Sequence, residues 1–464
     1  MDKYILLGLG LICLSCTQQQ QATQSDGLGE LQLSENRRFF EKGNGEPFFW
    51  LGDTGWLLFG KLNREEAERY LENRHQKGFN VIQVMTLHTL DVVNVYGDSA
   101  LINGNVAQPN VSEGSSFEDS VQYDFWDHVD YIVDKAAENN LYMALVPVWG
   151  SNVKSGRVSR DEAEQYATFL AERYKDRPNI IWLNGGDISG SDYTEIWNTI
   201  GTTLNANDPN HLITFHPFGR SMSSTWFHNQ NWLDFNMFQS GHRRYDQDTA
   251  SDSHQFGPDN WRYVQVDYNL RPVKPTLDGE PSYENIPQGL HDPNEPYWND
   301  NDVRRYGYWS VFAGAAGFTY GHNAVMQMSQ PTDKGSAYGV KDYWYDAIDH
   351  PGASQVIYLK ELMLSRPYFE RVPDQSLVAN QGEKYEYIAA TRGEDYAFLY
   401  TYNGRTIQVN MGKIAGDEVE TSWYNPRNGE SAEIGVFENE GMLEFDPPGE
   451  KEEGNDWVLI LDQA

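Results

Sequence analysis

From about residue 46 the chain alternates short apolar runs with segments whose apolar positions recur every three to four residues. That alternation predicts βα units and a parallel sheet. Residues 48–53 (FFWLGD) read as a strand with a polar end, and residues 64–78 as an amphipathic helix stopped by Gly78. Further strands are predicted over 79–87, 141–149, 180–184, 212–215, 235–238, 274–278 and 317–320. Helices are predicted over 125–140, 160–177, 193–204, 260–270, 303–315 and 355–364. Eight strands, each followed by a helix or a long loop, match an α/β fold of the (β/α)8 barrel type over residues 31–367. A doubly wound open sheet is the alternative, but no Gly-x-Gly-x-x-Gly follows an early strand, so no dinucleotide cofactor is expected. After Arg366-Pro367 the texture changes to short alternating runs (385–390, 396–402, 406–411, 421–424, 457–461) split by turn signals such as Asn403-Gly404. Residues 368–464 therefore read as a small C-terminal antiparallel β-sandwich.

The N-terminus follows a different pattern. The apolar run in residues 4–15 is shorter than the roughly 20 residues a membrane-spanning helix needs and fits the core of a secretory signal. Both cysteines, Cys13 and Cys16, lie here, followed by the polar tract 17–21. The arrangement resembles a bacterial lipoprotein signal. Residues 1–16 would be the signal segment, Cys16 the lipid attachment point and residues 17–30 a flexible tether. The expected location is the cell envelope, by lipid anchor, or secretion. A mature chain starting at Cys16 would have no disulfide, so its fold must rest on its core.

Charge narrows the partners. The chain has 464 residues with 35 Lys and Arg against 68 Asp and Glu, a formal net charge of −33. Phosphate backbones and anionic lipid surfaces are bound through cationic side chains, so nucleic acid and direct membrane docking are both disfavoured. The 14 Trp and 28 Tyr beside so many carboxylates suit a protein that handles sugars.

In a parallel barrel the chemistry sits where strands end at the C-terminal face. The polar residues just past the eight strands are Asp53, His88, Trp149, Asp187, His216, His242, Glu280 and His322. Asp187, after the fourth strand, and Glu280, after the seventh, would meet across one pocket. Glycoside hydrolysis needs such a pair, one carboxylic acid to protonate the leaving oxygen and one carboxylate to attack or to position water. Glu284, four residues beyond Glu280, is the rival nucleophile if the chain there turns as a helix; otherwise it holds a sugar hydroxyl. Asp53, Trp56, His88, Trp149, His216, Tyr320 and His322 are candidate sugar contacts, Tyr283 a candidate to steer the nucleophile, and Arg220 a candidate for an acidic sugar. No metal is expected. Asp246, Asp248 and Asp252 lack the spacing of a calcium loop, and there is neither a zinc motif nor a Gly-x-Ser-x-Gly elbow.

The segments WLGDTGW (50–56), GFNVIQV (78–84), IIWLNGGD (180–187), ITFHPFGR (213–220) and KPTLDGEPSYE (274–284) together resemble the apiosidase-like family of barrel glycoside hydrolases. The tail beyond about residue 370 is similar to the collagen-binding-type β-domain that often follows it. The resemblance implies an exo-acting hydrolase, with removal of apiose from the branched pectin rhamnogalacturonan II as the family's known activity. It also implies kinship with retaining barrel glycosidases that carry carboxylates on strands four and seven. Those enzymes usually have Asn-Glu at the acid/base, where this chain has Gly186-Asp187. A catalytically inactive surface glycan-binding protein is the alternative of another class, and the tail as a matrix adhesin a third. The oligomeric state is left open.

Overall fold

A computed structural model describes residues 28–248 and 255–464. The signal segment, Cys16, most of the tether and Asp252 lie outside the described residues. The core is a nearly closed barrel of eight parallel strands: β1 (Trp50–Thr54), β2 (Val81–Met85), β3 (Tyr142–Val146), β4 (Ile180–Ile188), β5 (Ile213–Pro217), β6 (Asn236–Gln239), β7 (Thr276–Asp278) and β8 (Gly317–Tyr320). The sheet runs β5-β4-β3-β2-β1-β8-β7-β6, and the short strand Ser221–Met222 adds antiparallel to β6. The remaining seam, between β5 and β6, is bridged as Asp234 N donates to Ile213 O at 2.8 Å and Thr214 Oγ1 to Phe235 O at 2.6 Å.

Helices α1 (Arg64–Gln76), α2 (Phe125–Glu138), α3 (Arg160–Tyr174), α4 (Thr194–Asn207), α5 (Asn260–Tyr268), α6 (Asp300–Phe312) and α7 (Ile357–Leu364) surround the strands. Four of them begin in capping boxes, at Asn63/Glu66, Asp124/Asp127, Ser159/Glu162 and Asn299/Asp302. Each box satisfies two otherwise orphaned N–H groups, which fixes where the helix starts. Below the barrel, strands Leu31–Leu33, Phe40–Lys42 and Pro47–Phe48 form a small antiparallel sheet that the hydrophobic pattern does not announce. It places Phe40 edge-on to Phe235 (5.0 Å between centroids) and near Trp50, at the starts of β6 and β1.

The C-terminal part has a six-stranded antiparallel sheet and a two-stranded one, enclosing a core of its own that includes Ile388, Leu399, Val409 and Leu459. Strands Ser431–Glu438 and Met442–Phe445 are absent from the sequence-based expectation because most of their residues face solvent. This unit is fastened to α5 and α6 by stacked rings, Tyr308 on Tyr400 (4.6 Å, 10°) and Trp261 on Tyr387 (4.3 Å, 4°). Arg304 of α6 meets Asp456 through two bonds of 2.9 and 3.0 Å, with both side chains buried. Removing one partner of such a pair strands the other charge in a low-dielectric interior, a loss of about 3–5 kcal/mol. Arg304→Ala should therefore lower the melting temperature by several degrees in calorimetry; an unchanged transition would show that the pair does not secure the interface.

Candidate active site

The end of β4 has an unusual backbone. Gly185 (φ 91°), Gly186 (φ 103°) and Asp187 (φ 49°) all take positive φ, and the pairing with β5 slips between Gly185 and Ile188. A Cβ on Gly186 would lie 2.5 Å from the Trp149 ring, so only glycine fits there. The bulge turns Asp187 into a cavity of about 540 Å³ at the C-terminal face of the barrel. Asn184, just before the bulge, ties β4 to α4 by donating from Nδ2 to Trp197 O at 2.8 Å.

Glu280, just beyond β7, enters the same cavity. Its Oε1 lies 3.1 Å from His242 Nε2, and its Oε2 3.2 Å from His216 Nε2, the second contact at ion-pair range but poorly aligned as a hydrogen bond. The Asp187 amide donates to His216 Nδ1 at 3.4 Å, which assigns the neutral ring's hydrogen to Nε2, on the side of Glu280. Behind the carboxylate, Gln83 Nε2 donates to Gly279 O at 2.8 Å. Buried Asp278 takes hydrogen bonds from Ser240 and from Asn260 Nδ2, tying β7 to the β6 loop that carries His242. Trp56 and Trp149 lie 5.4 Å apart beside the pair, and the His216 ring meets Trp56 edge-on. Trp56 Nε1 donates to the Tyr283 hydroxyl at 3.2 Å, and the Tyr283 ring packs against His242.

These surroundings drive the two carboxyls in opposite directions. Burial alone would raise Glu280, but the hydrogen bond from His242 and the close approach of the His216 ring outweigh it and hold the carboxyl down to about 2. Asp187 keeps an exposed face in the cavity yet is walled by protein, and this partial desolvation raises it to about 6. The Glu280 charge adds to that rise, while His216 and His242 pull the other way. Near pH 5 the cavity therefore holds one protonated and one ionised carboxyl.

Of the residues picked out in the sequence, Asp187, Glu280, Trp56, His88 and Trp149 line the cavity, and His216 lies beneath, against Glu280. Four others lie elsewhere. Asp53 points outward from β1 into the helix layer, fully buried against Tyr70 Oη (2.6 Å) and Arg74 (3.3 Å). Glu284 is buried and receives Tyr320 Oη at 2.6 Å and the Gly352 amide at 3.2 Å. The chain past Glu280 runs irregular rather than helical, so Glu280 and Glu284 do not share a face. Tyr320 and His322 are both fully buried, and His322 caps a short helix at Ala324. Arg220 reaches the rim but is paired with Asp248. The rim also includes Arg243, Lys334 and Tyr338, on loops whose course no periodic pattern predicts.

Among the described residues, His322, Asp342 and His350 could converge on a cation. However, His322 Nδ1 accepts the Ala324 amide, which leaves Nε2 as an N–H facing His350 Nδ1 at 3.1 Å. A hydrogen-bonded relay explains this geometry without an ion.

The model of the "Apiosidase-like, catalytic domain" family matches residues 34–370, and that of the "Putative collagen-binding domain of a collagenase" matches residues 372–462. No curated protein matches the chain. A solved structure described as a glycoside hydrolase is 49% identical, covering 94% of this chain and 97% of its own, with a TM-score of 0.88. A glycoside hydrolase family 5 structure from Bacteroides vulgatus is 45% identical over 94% of this chain and 93% of its own, with a TM-score of 0.90.

The raised Asp187 carboxyl has a thermodynamic consequence. The folded state binds this proton more tightly than the unfolded chain, so the stability it contributes is complete below about pH 4 and is lost as the pH climbs through about 6. Glu280 has the opposite sign, stabilising above about pH 4.3 and losing that as the pH falls toward about 2. Asp187→Asn should therefore raise the melting temperature at pH 8 but not at pH 4; equal shifts at both would contradict the raised carboxyl.

Proposed function

We propose that this chain, which belongs to the apiosidase-like family of glycoside hydrolases, removes terminal sugars from the side chains of branched, pectin-type plant polysaccharide by a retaining two-carboxylate mechanism. The observation that supports this most directly is the opposite proton affinity of two carboxyls in one cavity.

Asp187, protonated, gives its proton to the glycosidic oxygen as the bond to the anomeric carbon breaks. Glu280, ionised, attacks that carbon and forms a glycosyl ester. Esterification removes the Glu280 charge, one of the causes that raise Asp187, so its pKa falls. Asp187 then takes a proton from the incoming water, which cleaves the ester and restores both groups. Trp56 and Trp149 offer apolar ring faces to sugar C–H groups, and His88 a polar edge.

Product analysis by chromatography after incubation with rhamnogalacturonan II should show released apiose. Loss of turnover should reach about 10²–10⁴-fold in Asp187→Asn, and at least as much in Glu280→Gln, with folding retained. Wild-type kcat/KM should fall above about pH 6 as Asp187 ionises. Near-full activity in either variant would remove the assignment, and no product from any plant glycan would favour a glycan-binding protein. We also propose that Cys16 carries a lipid anchor. Palmitate labelling of the expressing cells should mark the protein, and Cys16→Ala should lose the label.

A further inference from the structure

A second hollow of about 460 Å³ adjoins the first, and the two share one wall, the turn Phe218-Gly219-Arg220 after β5. Phe218 on this ridge is 52% exposed, unusual for a phenylalanine beside a cavity. The ridge is held in place rather than loose. Phe218 N donates to Ile188 O at 3.0 Å, Arg220 N to Gln239 O at 2.6 Å, and Ser221 Oγ to Phe218 O. The Arg220 guanidinium is locked to Asp248.

The ridge also abuts the acid. Ile188, which receives the Phe218 amide, directly follows Asp187, and the Gly219 amide lies against the Asp187 carboxyl. A proton donor stands beside the oxygen it protonates, so the leaving group departs on the Asp187 side of the cavity, toward Phe218 and the second hollow. Among the described residues the hollow is lined by the apolar Trp226, Met222 and Leu270 and by the polar Ser224, Thr225 and Gln255. A mixed lining of apolar faces and polar groups complements a sugar ring, whose C–H faces stack on aromatics while its hydroxyls take hydrogen bonds.

We propose that this second hollow is the leaving-group subsite: Phe218 stacks on the first sugar beyond the scissile bond, and the hollow holds the polysaccharide main chain next to it. This rests on the hydrolase reading above and extends it from the terminal sugar to what that sugar is attached to. The Arg220 guanidinium is paired with Asp248, so what the ridge itself offers a sugar is the Phe218 ring face.

Phe218→Ala should raise KM for rhamnogalacturonan II about tenfold, while inhibition by free D-apiose, which needs only the first cavity, stays within about twofold of wild type. An unchanged KM, or an inhibition constant for apiose that shifts as much as KM, overturns the subsite. If the wild type releases no apiose, the hydrolase reading as stated fails, and the subsite is tested by binding alone. Full-length Glu280→Gln should then be retarded in affinity electrophoresis by at least one of a set of plant polysaccharides, and adding Phe218→Ala should abolish the retardation. Retardation that survives the second substitution, or is absent with every polysaccharide, overturns the proposal.

Discussion

The charge on Glu280 is the feature around which the cavity is organised. A carboxylate this enclosed would normally protonate, because burial strips its hydration. Two imidazoles prevent that, one from β5 and one from the loop after β6. Each has a supporting contact of its own. His216 is oriented by the Asp187 amide, and the His242 loop is tied to β7 through Ser240 and Asp278. The anion so maintained then acts on its neighbour as one cause of the raised Asp187. The division of labour between two similar carboxyls is thus a property of four strands and not of either residue alone.

A second polar assembly lies behind the barrel wall and is easily mistaken for part of the first. Asp53, Tyr70 and Arg74 form one buried group, and Tyr320, Glu284 and the Gly352 amide another alongside it. Buried ionic groups of this kind persist only when every member has partners, and these connect β1 and β8 to α1 and the segment before α7. Their role is to hold helices against strands, on the opposite side of the wall from the sugar cavity.

This explains where the sequence was legible and where it was not. The barrel was readable because eight runs of buried apolar residues alternate with capped amphipathic helices, and each cap is a local signal. Asp187 and Glu280 were readable because they sit at strand ends, where barrel geometry alone places them together. Asp53 and Tyr320 were misplaced because a strand alternates its faces, so closeness to a strand end does not say which face a side chain takes. Glu284 was misplaced because its position depended on whether the chain after Glu280 coils, and Pro281-Ser282 gives no periodic cue. The small sheet over residues 31–48 was missed because its strands have only two or three residues.

That small sheet also sets a polarity. It closes the barrel at the end where the strands begin, and the Tyr142 hydroxyl there bonds Gly29 O, near the first described residue. Gly29 thus lies at the floor of the barrel, while the two carboxyls lie at its roof. The floor of the barrel is therefore sealed by the chain's own first described strands, and the cavity opens only at the opposite end, where the loops after the strands form its rim.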